Sequence, residues 1–181
     1  DSLVNAEASL ILADVTSPIV LRYNRFRCDR GWDIDLDDGS GNYHIYNNLC
    51  LNGGIKLREG FYRVVENNII VNNSFHPHVW FKNSGDVFTR NIVMSSYRPI
   101  QVRHWGLEVD YNIFTDSTAY QKARKQNTDA HSIVCTPVFL NPSRGDYRID
   151  NHSDAVFRCG FRNFDMDRFG AVSYTHLRAH E

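Results

Sequence analysis

The sequence predicts an all-β fold, a right-handed parallel β-helix, in which a solenoid of about 22 residues per coil ends in an irregular closing segment. Three observations predict it. An asparagine stands before or within a short apolar run in "YNRF", "NNLC", "NNII", "RNIV" and "YNIF"; these residues, Asn24, Asn48, Asn68, Asn91 and Asn112, are spaced 24, 20, 23 and 21 residues apart. A second series, "DIDLDDG", "GIKLREG", "HVWFKNSG" and "PIQVRHWG", aligns Ile34, Ile55, Val79 and Ile100 in one column, and Leu36, Leu57, Phe81 and Val102 in another. Finally, a single residue separates the two columns in every copy, which is the alternation of a β-strand.

Each strand is then one side of a coil, and stacking buries columns that a lone coil would leave in water. Asparagine suits the turns, since it tolerates left-handed backbone and its amide bonds locally. A leucine-rich repeat lacks its helical half here, and an antiparallel sandwich does not explain equivalent side chains recurring in register. The coils are expected over residues 1–115. Beyond Phe114 the pattern lapses: "DSTAYQKARKQNTDAHS" reads as a loop with a helical turn, and residues up to 171 as strands and turns closing the solenoid end. The stretch 172–181, which ends in "SYTHLRAHE", resembles translated adapter read-through and is expected to be a non-native tail.

A chain of 181 residues can bury one core, and a formal net charge of −1 carries no electrostatic footprint for nucleic acid or an anionic membrane. No apolar run approaches the roughly 20 residues of a membrane span. Neither an initiator Met nor a charged-then-apolar segment opens the sequence, so Asp1 is expected to follow a processing point or a truncation. Cys28, Cys50, Cys135 and Cys159 form no CxxC and read first as free thiols, with disulfides the alternative. A monomer is expected.

If Ile34 and Leu36 point inward, Asp35 and Asp37 point outward, and the same parity holds on every coil. One exterior column is then Asp35, Lys56, Trp80 and Gln101; the next is Asp37, Arg58, Lys82 and Arg103. The strand ends place Asp38, Glu59, Asn83 and His104 together, with Trp105 following. Neighbouring parallel strands lie about 4.8 Å apart, so acids distant in sequence become lateral neighbours. Two carboxyls about 5 Å apart repel by about 3 kcal/mol at an effective dielectric near 20, which splits their pKa values as a glycosidase requires. Trp80 and Trp105 would offer apolar platforms, and Lys56, Arg58, His78 and His104 partners for hydroxyls or carboxylates. Against this stand plainer readings: Asp35–Lys56 and Asp37–Arg58 as surface ion pairs, "DDGSGN" as a turn, and His76 and His78 as loop residues.

The stretch from Tyr23 to Phe114, above all "GWDIDLDDGSGNYHIYNNLCLNGGIKLREGFYRVVENNIIVNNSFHPHVWFKNSGDVF", resembles bacterial parallel β-helix proteins that are carbohydrate-active, on the pectate-lyase-like superfold. The enzymes it is most similar to are β-helix glycoside hydrolases of the β-xylosidase and fucosidase/xylanase type. "VFLNPSRGDYRI" and "GFRNFDMDRFG" are similar to the segment that closes such chains. The resemblance implies a secreted or periplasmic protein that hydrolyses an oligosaccharide or polysaccharide with retention and without a cofactor or metal. It implies an Asp nucleophile and a Glu acid/base on adjacent coils: Asp38 or Asp37, and Glu59. Asp35, Lys56, Arg58, His78, Trp80, His104 and Trp105 would then bind substrate.

Two other readings share the scaffold. In a calcium-dependent polysaccharide lyase, Asp35, Asp37 and Asp38 would be hard-oxygen ligands and Lys56 or Arg58 the base. The other reading is a β-helix that binds glycans without turnover.

Overall fold

A computed structural model describes residues 17–166 as a parallel β-solenoid. The first coil carries β1 (Ile19–Arg22), β2 (Arg25–Phe26) and β3 (Ile34–Leu36); the second β4 (Tyr43–Tyr46), β5 (Leu49–Cys50) and β6 (Ile55–Leu57). The third carries β7 (Arg63–Glu66), β8 (Ile69–Ile70) and β9 (Phe75–Pro77), the fourth β10 (Val87–Thr89) and β11 (Ile92–Val93), and the fifth β12 (Glu108–Asp110) and β13 (Ile113–Phe114). A helix, α1 (Ser117–Arg124), then precedes β14 (Ile133–Val134); the antiparallel pair β15 (Phe139–Asn141) and β16 (Asp146–Ile149) and the short helix α2 (Asp154–Arg158) complete the described chain. Equivalent strands stack into three parallel sheets, β1-β4-β7-β10-β12, β2-β5-β8-β11-β13-β14 and β3-β6-β9. The expected tail at 172–181 and the chain start at Asp1 lie outside the described residues.

The asparagine series marks the true register. Asn48, Asn68, Asn91 and Asn112 are fully buried. Each side-chain oxygen accepts from the preceding asparagine of the stack, as Asn68 Oδ1 does from the Asn48 amide at 2.9 Å and from Asn48 Nδ2 at 3.0 Å. The left-handed residue at each corner is not the ladder asparagine but the one before it: Tyr23, Asn47, Asn67, Arg90 and Tyr111 have φ of 54° to 57°. The ladder amides satisfy backbone groups that the corner would otherwise bury unpaired.

Both residues after Asn48, Asn68, Asn91 and Asn112 are buried, for different reasons. Cys50, Ile70, Val93 and Phe114 join the solenoid interior with Ile34, Leu36, Ile55, Leu57, Phe75 and Phe88. Leu49, Ile69, Ile92 and Ile113 lie in a second cluster with Ile149, Val156, Phe161, Phe164 and Met166. The C-terminal segment therefore does not close the end of the solenoid, as expected from sequence; it covers the flank of the second sheet. It runs from the fifth coil, where Cys159 Sγ meets the Tyr111 carbonyl at 3.0 Å, past Asn67, which accepts from the Arg162 amide at 2.7 Å, to Arg25, which donates to the Met166 carbonyl at 3.2 Å. The far end of the core is covered by α1, two turns rather than the one expected, capped by Asp116 and burying Ala119 and Ala123. The four cysteines are free thiols, with Cys50 and Cys159 buried.

Candidate functional site

The wall outside β3, β6 and β9 is built from the aspartate-rich strand inward. Ile34 and Leu36 are buried and Asp35 between them is exposed, as the alternation predicts. Register pairs Asp35 with Lys56, and Lys56 with His76. The Arg58 amide donates to the Leu36 carbonyl and the His78 amide to the Leu57 carbonyl, both at 2.8 Å, which sets Asp37, Arg58 and His78 in the adjoining column. One coil separates the acids from the cations, and one more the cations from the imidazoles.

The third coil corrects the expected alignment. Phe75 and Pro77, not Val79 and Phe81, stack over Ile55 and Leu57, so this coil takes 20 residues at the wall rather than 24. Trp80 is consequently not an exterior platform. It is 4% exposed, donates its indole N–H to the Leu57 carbonyl at 2.9 Å and packs edge-on to Phe75. Trp105 is half-buried against Trp80 and Tyr97 rather than presented beside the acids. His104 is exposed on the fourth coil, with no contact to Asp38 or Glu59 among the described residues. Ile100 pairs with His78 and is exposed rather than inward. His76 and His78 are buried, not loop histidines: His76 is in β9, and His78 bridges to the next coil.

What the register assembles is a charged, partly buried knot. The Lys56 ammonium lies 2.9 Å from Asp35 and 3.0 Å from Asp37, and 4.3 Å from the centroid of the Trp32 ring. Arg58 reaches Asp37 at 3.2 Å, Asp38 at 3.6 Å and Glu59 at 2.7 Å. Asp38 and Glu59 stand side by side, because the Gly39 amide donates to the Glu59 carbonyl at 2.9 Å. The repulsion expected between Asp38 and Glu59 is thus offset by a guanidinium that touches both and Asp37 as well.

These contacts fix protonation. The Lys56 hydrogen bond, with the Asp38 amide and Arg58 behind it, holds the Asp37 carboxyl below the ordinary range despite partial desolvation. Burial alone would lower Lys56, but Asp35 and Asp37 outweigh it and hold the ammonium above the ordinary range. Burial, then the charges of Arg98, His78 and Lys56, pushes His76 down to about 4. Burial and then Lys56 and Arg58 lower His78, with Asp35 and Asp37 opposing.

Four participants escaped the sequence reading: Trp32, His76, Asp33 and Arg63. Trp32 covers Lys56 and sits edge-on to His76 and His78, at 6.0 and 6.2 Å between centroids. His76 was expected to be a loop residue. Asp33, the first acid of the cluster, is structural: one oxygen accepts from the Cys28 amide at 2.6 Å, the other from the amides of Asn52, Gly53 and Gly54. Gly54 is required there, since φ is +71° and a Cβ would lie 2.1 Å from the Ser74 carbonyl oxygen. The fully buried Arg63 anchors the turn beyond Glu59. It is paired with Asp86 at 2.6 Å and also donates to the Arg58 carbonyl.

The acids do not fit a calcium cage, because the Lys56 ammonium already sits between Asp35 and Asp37; among the described residues no group of three or more His, Cys, Asp or Glu could hold a metal ion. No described helix is long and apolar enough to cross a membrane. No protein-family model, curated protein or solved structure matches this chain.

Proposed function

We propose that the chain is a carbohydrate-active β-helix that hydrolyses glycosidic bonds of a plant or host glycan with retention, at the wall outside β3 and β6. The observation that carries this reading is the lateral placement of Asp38 and Glu59 on adjacent coils, their carboxyls 3.6 and 2.7 Å from the shared Arg58. Adjacent strands about 4.8 Å apart suit the short carboxyl spacing of the double-displacement route better than the wider gap an inverting enzyme needs for water. Of the two candidate nucleophiles, Asp37 is held by both Lys56 and Arg58, whereas the Asp38 side chain is 84% exposed and open to a sugar. Asp38 then attacks the anomeric carbon as Glu59 protonates the leaving oxygen. Water, deprotonated by Glu59, releases the sugar from Asp38. Asp37, Lys56 and Arg58 position the two acids.

The test is turnover of aryl-glycosides. Glu59→Gln should lower kcat/KM by about 10²-fold or more, and azide should partly restore Glu59→Ala. Unchanged turnover removes Glu59 from the mechanism.

A second reading, glycan binding without turnover, draws on the same Arg58, since a guanidinium touching Asp37, Asp38 and Glu59 also makes a stable, inert surface. It predicts that Glu59→Gln and Asp38→Asn leave sugar affinity intact with no turnover to lose. Lyase chemistry has less support, because two carboxylates hold Lys56 protonated and unfit as a base.

A further inference from the structure

The imidazole row lies one coil beyond Lys56, Arg58 and Glu59 and two beyond the aspartates, and the proposed hydrolysis does not use it. His78 is 8% exposed, and its Nε2 has no hydrogen-bond partner among the described residues. Buried polar nitrogens are seldom left unpaired, so an arrangement that retains one points to a partner from outside the chain. Its place in the Asp37–Arg58 column turns it toward the wall, and Trp32 lies against it. Its neighbour His76 is committed, Nε2 to Asn73 at 2.8 Å. On the next coil the Arg98 amide donates to the Phe75 carbonyl at 2.9 Å, which sets Arg98 beside His76. Arg98 is exposed, and its guanidinium has no ion-pair partner among the described residues.

The charges divide along the solenoid axis. Asp35, Asp37 and Asp38 line the first coil; Lys56 and Arg58 are on the second with Glu59; Arg98 is on the fourth. Around the imidazoles the cations prevail. An unpartnered ring nitrogen on which Lys56 and Arg58 are the larger charges, with the exposed Arg98 beside the adjoining imidazole of His76, is suited to an oxyanion when the nitrogen carries the proton.

We propose that His78 and Arg98, with Trp32 alongside, form a subsite for an anionic substituent, a carboxylate or a sulfate ester, on the sugar bound at this wall. The inference rests on the glycan reading and narrows its substrate class to acidic sugars. Coils about 4.8 Å apart place His78 one coil, about 5 Å, and Arg98 two coils, about 10 Å, from Glu59 along the solenoid axis. The His78 nitrogen is shielded, so the ligand's oxyanion reaches it as the Trp32 indole yields.

The experiment uses the intact chain labelled with ¹⁵N, reading the His78 ring nitrogens and the Trp32 indole during titration with glucuronate, glucose 6-sulfate, glucose and inorganic sulfate. Glucuronate or glucose 6-sulfate should bind about tenfold more tightly than glucose and shift both reporters, and Arg98→Gln, an exposed substitution, should remove the preference. Whichever acid binds names the substituent. Equal binding of glucose overturns the subsite while leaving the glycan reading intact. Inorganic sulfate binding as well as glucose 6-sulfate overturns sugar recognition at these residues. No response to any sugar overturns both.

Discussion

Arg58 closes on Glu59 with Nε 2.7 Å from the carboxylate, while its Nη1 lies 3.2 Å from Asp37. Together with Lys56 this guanidinium depresses Asp37, for which the Lys56 hydrogen bond is the largest cause. The Asp37 carboxyl should therefore titrate below about 3.9. It should rise modestly in Arg58→Gln and more in Lys56→Met, as followed by carboxyl ¹³C shifts against pH. A carboxylate depressed in the folded state contributes stability that is present above its unfolded pKa and lost as pH falls through its folded value. That loss should be smaller in both variants.

His76 should give a second acid-side dependence with a separate window. Its folded value of about 4 lies below the ordinary 6.5, so the unfolded chain binds the proton first. Stability from this residue falls as pH drops from about 6.5 toward 4. Denaturation midpoints measured across that range should flatten in His76→Gln, and an unchanged slope would show that His76 is not the group responsible.

Arg63 and Asp86 form a pair in which both side chains are fully buried, with bonds of 2.9 Å from Nε and 2.6 Å from Nη2, and the Arg63 amide adds a third at 3.0 Å. Breaking such a pair strands a charge, whereas replacing both partners does not. Asp86→Asn should destabilise by about 3–5 kcal/mol, and the double variant Arg63→Met/Asp86→Leu should recover much of that in urea denaturation. Arg63 also holds the Arg58 carbonyl, so Asp86→Asn should disturb the Arg58–Glu59 turn.

The difference between the two repeat series explains what the sequence could and could not reveal. Asn24 to Asn112 step by 24, 20, 23 and 21 residues, and the first sheet pairs Ile19 with Tyr43, Tyr43 with Arg63, Val64 with Val87 and Val87 with Glu108 at those same steps. An asparagine that bonds to its counterpart on the next coil cannot slip. Apolar doublets can, because "FHP" and "VWF" both supply two apolar residues around one other, and only packing decides between them. The Asp35–Lys56 and Asp37–Arg58 contacts were therefore legible, while the third row, His76 and His78, was misread as Trp80 and Lys82. Trp32 left no signal, since it precedes its strand and contributes to no column.

Asn68 tests the ladder directly. Its amide donates to the Ile45 and Glu66 carbonyls and to Asn91 Oδ1, each at 3.0 Å, with the side chain fully buried. Asn68→Ala should cost on the order of 3 kcal/mol, because buried carbonyls and the Asn48 donors lose partners. Asn24→Ala, at the partly exposed first rung, should cost about 1 kcal/mol. Equal costs in chemical denaturation would mean that the rungs are not cooperative with burial.

Val79, next to the unpartnered His78, has φ of 53°, a left-handed conformation that a β-branched residue rarely adopts. Its amide donates to the Ile100 carbonyl at 2.9 Å, so the bridge between the third and fourth coils holds the residue in place. Strain of this kind costs about 1–3 kcal/mol, and asparagine tolerates the same conformation. Val79→Asn should therefore stabilise the fold by about 1 kcal/mol, a rise of about 2–4 °C in Tm for a chain of this size. Val79→Ile should give no such gain. If Val79→Asn also weakens glucuronate binding, the strained corner is what aims His78 at the wall; stabilisation with unchanged binding would assign the strain to coil geometry alone.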